Sequence, residues 1–232
     1  MKKVLIMPAL VTALFATACG SSPTEVDTSP GVRFFNATTG MTGNGGFEIN
    51  GQFVPGSELP YGESTQACSR LEPGSTSFAF GISPGPAWQA LATLSNQTIA
   101  SGANVIVAAA GSAASPTLFL LDNDSPGSLN GNQAAIRFVN LASAASNPFN
   151  VLAGTVGSGP TSVVATNITV GVPTTYAIVP SGSATYTILH GHVVAITGSE
   201  AMLNLPARSM NTIAIVSSGS GGFGLVNIPR CS

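Results

Sequence analysis

Apolar residues along this chain come in short runs rich in Val, Ile, Phe and Leu, punctuated by Gly, Pro, Asn and Ser roughly every 8 to 14 residues. In Thr76-Ser77-Phe78-Ala79-Phe80 and in Thr185-Tyr186-Thr187-Ile188-Leu189, large apolar residues alternate with small or polar ones, as in a strand that buries one face. Asn50-Gly51, between Phe47-Glu48-Ile49 and Gln52-Phe53-Val54, predicts a two-residue hairpin, because both residues tolerate positive φ. Ala103 to Gly111 is apolar but strand-sized, bounded by Gly and Ser. No segment sustains a helical i, i+3, i+4 pattern. Ala87 to Leu94 comes nearest, and its Trp88, Ala90, Ala92, Leu94 series also fits a strand. The spacing predicts an all-β chain built as antiparallel sandwiches or barrels.

The pattern is written twice. Val32-Arg33-Phe34-Phe35-Asn36 reappears as Ile136-Arg137-Phe138-Val139-Asn140. Four further blocks follow in the same order: Phe47 to Val54 with Phe149 to Val156, Pro73 to Phe78 with Ser181 to Tyr186, Asn104 to Val107 with Asn211 to Ala214, and Thr117 to Leu121 with Phe223 to Asn227. A repeat of this kind implies one supersecondary unit used twice. Two domains are expected, 31–124 and 134–231, joined by a linker over 125–133 whose Ser125-Pro126-Gly127 and Asn130-Gly131 are turn formers.

The opening Val-Arg-Phe-x-Asn strand, the apolar-x-apolar-Asn-Gly hairpin, the Pro73-Gly74 turn into an alternating strand, and the Leu-rich strand Leu118 to Asp124 resemble the bacterial domain-of-unknown-function 4397 family. The second copy keeps the opening strand but has Ala153-Gly154 at the hairpin and ends Asn227-Ile228-Pro229-Arg230, so it is the more divergent. The resemblance implies two tandem antiparallel immunoglobulin-like β-sandwiches, on exported and lipid-anchored envelope proteins, with no associated catalytic residues.

The start of the chain is an address rather than structure. Met1-Lys2-Lys3 is a positive n-region, and Val4 to Phe15 an apolar h-region shorter than the roughly 20 residues of a membrane span. Ala16-Thr17-Ala18-Cys19 resembles a bacterial lipobox, so 1–18 is expected to be a lipoprotein signal peptide and Cys19 the lipidated N-terminus. Residues 19–30 read as a flexible Ser/Thr/Pro tether. Gly20 after the cysteine points to delivery to the outer membrane.

Composition sharpens this picture. Only 7% of the 232 residues are charged, and the net charge is −2. Both lysines lie in the leader, leaving five arginines, Arg33, Arg70, Arg137, Arg208 and Arg230, against nine acids beyond it. With no basic patch to release counterions, nucleic acid is not an expected partner. The apolar fraction of 44% predicts a packed core. The expected partners are the membrane, through lipid, and other envelope proteins or glycans.

Candidate chemistry is sparse. Cys68, expected within a strand, and Cys231 form a pair for a disulfide in an oxidising compartment, worth about 4–5 kcal/mol for so long a loop. The alternative is a small buried Cys68 and a free or intermolecularly paired Cys231. His190-Gly191-His192 has ligand spacing but no convergent third ligand, so a turn is the better reading and no metal is expected. Asp122-Asn123-Asp124 begins like a calcium loop but meets Pro126 at its fifth position, which favours the entry to the linker.

Arg33 and Arg137, repeated between apolar neighbours, offer an anion-recognising fork, or else pair locally and repeat because the domain does. Trp88, in a Gly/Pro segment, and Tyr61 are the aromatics suited to stacking on a sugar, with core packing as the alternative. Asn36, Asn96 and Asn167 sit in glycosylation sequons, which carry little weight in a bacterial host. No cofactor motif and no Ser/His/Asp spacing stands out. The expected function is a non-catalytic envelope lipoprotein acting as a structural or interaction module. A carbohydrate-binding module and, behind it, a hydrolase are the alternatives.

Overall fold

A computed structural model describes residues 28–82, 88–122, 126–142, 148–154, 160–190, 194–218 and 222–231. Among the described residues every regular element is a strand. The first nine are β1 (Gly31–Thr39), β2 (Gly45–Ile49), β3 (Gln52–Phe53), β4 (Glu63–Ser64), β5 (Ser69–Arg70), β6 (Gly74–Ile82), β7 (Gln89–Ile99), β8 (Asn104–Ser112) and β9 (Ser115–Asp122). They form two sheets, β4-β1-β8-β9 with β5 also on β1, and β3-β2-β6-β7. The other eight are β10 (Gln133–Asn140), β11 (Phe149–Gly154), β12 (Pro160–Ile168), β13 (Ala177–Pro180), β14 (Gly182–His190), β15 (Val194–Leu205), β16 (Met210–Ser217) and β17 (Phe223–Pro229). They repeat the wiring as β13-β10-β16-β17 and β12-β11-β14-β15.

Local chemistry accounts for the turns. Asn50 and Gly51 have φ of 51° and 76°, and the hairpin closes with Ile49 opposite Gln52 as the sequence predicts. The ambiguous Ala87 to Leu94 segment resolves as strand β7 from Gln89 onward.

Each sandwich has its own core. In the first, Phe34, Phe47, Phe78 and Phe80 are fully buried, with Phe34–Phe47 and Phe47–Phe80 ring centroids 4.7 and 4.9 Å apart. In the second, Ile136, Phe138, Phe149, Val151, Tyr186, Ile188, Ile213 and Ile215 fill the interior.

A third core joins the two. Phe35, Ala37, Ile106, Ala108, Ala110 and Leu121 from one sandwich pack with Val139, Leu141, Ala214, Val216 and Ile228 from the other. The sheets carrying β1 and β10 therefore face each other, and the molecule is a stack of four sheets with the inner two covered on both faces. This is why Val105 to Ala110 is apolar without alternation, since neither face of that strand reaches water.

The sandwich expectation holds with one amendment. β1 pairs with β8 in parallel, and β10 with β16 likewise, whereas the remaining ladders are antiparallel. Spacing does not encode strand direction, and the partners are separated by the whole of the opposite sheet, a connection long enough for a parallel pair.

Strand register also corrects the block matching. Phe47 lies opposite Phe80 and Val151 opposite Ile188, so Phe47 corresponds to Val151, two residues from the letter match with Phe149. Val32 pairs with Val105 and Ile136 with Asn211, so Asn104 corresponds to Met210 and not to Asn211. A one-residue slip exchanges the faces of a strand, and burial obeys the register. Val105 and Val107 enter the first core as Ile213 and Ile215 enter the second, whereas Ile106 and Ala214 face the seam.

Candidate functional site

The seam between the sandwiches is closed along one side by the segment from Tyr61 to Arg70. Its two short strands lie on β1, with Asn36 opposite Glu63 and Val32 opposite Ser69. Side-chain contacts add to this pairing. The Tyr61 hydroxyl donates to the backbone carbonyl of Ser217 in β16. The Arg33 guanidinium donates to the carbonyls of Thr65 and, at 3.2 Å, Gln66. Cys68 is disulfide-bonded to Cys231, with a Cα–Cα distance of 5.8 Å across 163 residues of sequence. The disulfide is the pairing that cysteine number and compartment suggest, although Cys68 sits in the turn before β5 rather than within a strand.

Arg33 and Arg137 fall at equivalent places, on the side of their strands that carries Phe35 and Val139 into the seam. Both are buried, at 6% and 2% exposure, so neither presents an open fork to an anion in solution. Burial lowers the pKa of Arg33, because desolvation opposes its charge, and its donors turn to backbone carbonyls instead. Arg137 is used differently. Its Nε donates to Thr212 Oγ1 at 3.0 Å, and its guanidinium lies 5.0 Å from the centroid of the Tyr176 ring.

Trp88 and Tyr61 sit on different elements of the first sandwich. Trp88 is half-buried just before β7, its ring 3.0 Å from where a Cβ on Gly81 would lie. It lies against β6 of the outer sheet of the first sandwich. Tyr61 is 38% exposed but has its hydroxyl committed to Ser217. Burial raises the Tyr61 pKa, with the backbone hydrogen bond opposing in the smaller part. Of the sequon asparagines, Asn36 is fully buried, donating to the Leu59 carbonyl at 2.8 Å and accepting from Thr38 N at 2.9 Å.

A pocket of about 260 Å³ opens at one end of the second sandwich, where β11, β12, β13 and β14 converge. Tyr186 forms part of its wall, with Ala153, Val164, Val179 and Ala184 around it. The Tyr186 ring is 1% exposed and lies 6.1 Å from that of Phe138, and burial raises the pKa of its phenol. The hydroxyl is therefore a neutral hydrogen-bonding group at ordinary pH. The sequence does not single out Tyr186, whose one signal is that it stands where the first repeat has Phe78.

Cys19, His192, Asn123 and Asp124 lie outside the described residues, and nothing is assigned to the His190 side chain. Among the described residues no three His, Cys, Asp or Glu side chains gather as a metal site. No helix there is long and apolar enough to cross a membrane.

A family model for a domain of unknown function (DUF4397) matches residues 30–148, the first sandwich together with β10. No curated protein matches the chain. Among solved structures, the Bacillus anthracis TIE protein is 10% identical with a TM-score of 0.27, over 87% of this chain and 34% of that one. The pilus adhesin SpaC from Lactobacillus rhamnosus GG is 15% identical with a TM-score of 0.17, over 86% of this chain and 31% of that one. The chain thus spans about a third of the length of each of these proteins.

Proposed function

This chain belongs to the DUF4397 family, and from that premise we propose that it is a non-catalytic lipoprotein of the bacterial cell envelope, a rigid structural or interaction body tethered through acylated Cys19. The observation that carries the reading is the seam. Two sandwiches on a free linker would sample many orientations, whereas a shared apolar core and a disulfide hold these two as one body.

The disulfide supports an oxidising location, outside the cytoplasm. The lipobox-like Ala16-Thr17-Ala18-Cys19 supports the lipid, and Gly20 supports the outer membrane as the destination. The repeated strand order supports reading the second sandwich as a further, divergent copy of the family's domain. Envelope proteins or glycans are the partners such a body would meet.

Radiolabelled palmitate fed to cells expressing the full chain tests the anchor. Label is expected in the wild-type protein, in the outer-membrane fraction, and is lost with Cys19→Ala. An unlabelled wild-type protein overturns the lipoprotein reading.

A further inference from the structure

Register makes the two sandwiches comparable position by position. Ile49 lies opposite Phe78 in the first and Ala153 opposite Tyr186 in the second, so Ile49 corresponds to Ala153. Val32 pairs with Ser69 as Ile136 pairs with Ala177, and counting on two residues sets Leu71 against Val179. Gly74 and Gly182 open their strands with φ of 131° and 112°, a conformation side chains resist, and two residues further on Thr76 corresponds to Ala184.

At one end of the sandwich, then, Ile49, Leu71 and Thr76 give way to Ala153, Val179 and Ala184. In the first sandwich that end is packed. Leu71 and Thr76 are 7% and 3% exposed, and Ile49 and Val54 lie against the same core. In the second the equivalent space is the 260 Å³ pocket. Protein interiors normally close up to crystal-like density, and the three reductions in side-chain size at this end leave room for an occupant. At the same end Phe78 is replaced by Tyr186, which adds one hydroxyl to the wall. Among the described residues that hydroxyl has no hydrogen-bond partner.

We propose that this pocket binds a neutral compound of one or two rings bearing a hydroxyl, its ring against Ala153, Ala184 and Val179 and its hydroxyl bonded to Tyr186. No described lining residue is charged, so an ion would shed its hydration there without a counter-charge. The volume is just under the roughly 300–1,000 Å³ of drug-sized sites, which sets the ring count. Ser162, Ser181 and Ser183 supply further neutral polar contacts. Among the described residues the first sandwich is plugged at this end by Ile49, Leu71 and Thr76.

Calorimetric titration of the full chain with 2-naphthol and with naphthalene tests the site. Both are expected to bind, 2-naphthol the more tightly. Tyr186→Phe weakens 2-naphthol by about five- to tenfold, the worth of one hydrogen bond, and leaves naphthalene unchanged. Ala153→Ile, which restores the first sandwich's residue, abolishes binding of both probes. Ala184→Thr is the smaller refilling that carries the test should the isoleucine prevent folding, and it weakens both. The site is overturned if wild-type protein binds neither probe, or if binding survives both refilling variants in protein that melts like wild type. Equal losses for the two probes in Tyr186→Phe overturn the role of the hydroxyl.

Discussion

The two sandwiches share their strand order and differ in how they are filled and edged. The first is packed with phenylalanine rings and edged by β3, β4 and β5, of two residues each. The second mixes the rings of Phe138, Phe149 and Tyr186 with a larger share of aliphatic side chains, and its corresponding edges are the longer β12 and β13. Of the strongly exposed apolar side chains, Val163, Val170, Val172, Ile178 and Met202 belong to the second, at 45% to 67% exposure, against Phe53, Tyr61 and Ile82 in the first, at 38% to 42%. Wiring and packing are thus separable. Sheet order survives large changes in interior volume because it depends on ladders and turns, whereas a cavity depends on a few side chains at one end.

The comparison can be broken in stages. The largest effect is expected from Cys68→Ser combined with Cys231→Ser, which removes the closure of a 163-residue span and costs about 4–5 kcal/mol in urea unfolding. Phe34→Ala and Phe138→Ala, at matching places in the two cores, should each cost about 3–5 kcal/mol. Because the seam couples the cores, each should shift one common transition. Two separate transitions by circular dichroism and fluorescence would show the sandwiches to be independent.

Leu121→Ala empties a fully buried position in the seam and should cost about 2–5 kcal/mol, with faster amide exchange expected in β1, β8, β10 and β16. Tyr61→Phe, which deletes one hydrogen bond across the sandwiches, should cost about 1 kcal/mol.

The finest distinction is in pH dependence. A phenol whose folded pKa is raised keeps its proton longer when folded than when unfolded. Its contribution is complete below the ordinary value of 10.0 and is lost as pH climbs through the folded value. Stability should therefore decline above about pH 10, and Tyr186→Phe should reduce that decline in chemical denaturation. Phe78 gives the first sandwich no titrating counterpart at that position, and Tyr61, whose pKa is also raised, contributes to the slope that remains.

What the sequence made legible was local or strictly periodic. Asn50-Gly51 predicts its hairpin because two consecutive positive φ angles exclude most other residues. The repeat predicted equivalent strands, but letter identity misjudged their register, since Asn104 and Asn211 agree in type while their strands align one residue apart. Double burial of Val105 to Ala110 was written in its missing alternation, yet that run does not say whether the second cover is another sheet or a loop. Arg33 stood out as a repeated charge. Its partners are backbone carbonyls more than thirty residues away, which no side-chain pattern announces. Tyr186 was hidden for the opposite reason, because an alternating strand accepts Phe or Tyr equally and the space beside it exists only once four strands converge.

The disulfide also governs how the molecule would carry a load. Gly31 begins β1 and Cys231 follows β17, and a Cβ placed on Gly31 would lie 3.1 Å from the Cβ of Cys231. The two ends of the folded body therefore meet at one point. Tension entering before Gly31 and leaving after Cys231 would pass through the first strand and the bonded Cys68 turn, bypassing the ladders of the second sandwich. Such a body resists stretching as a closed shackle does, by keeping most of its length off the line of force.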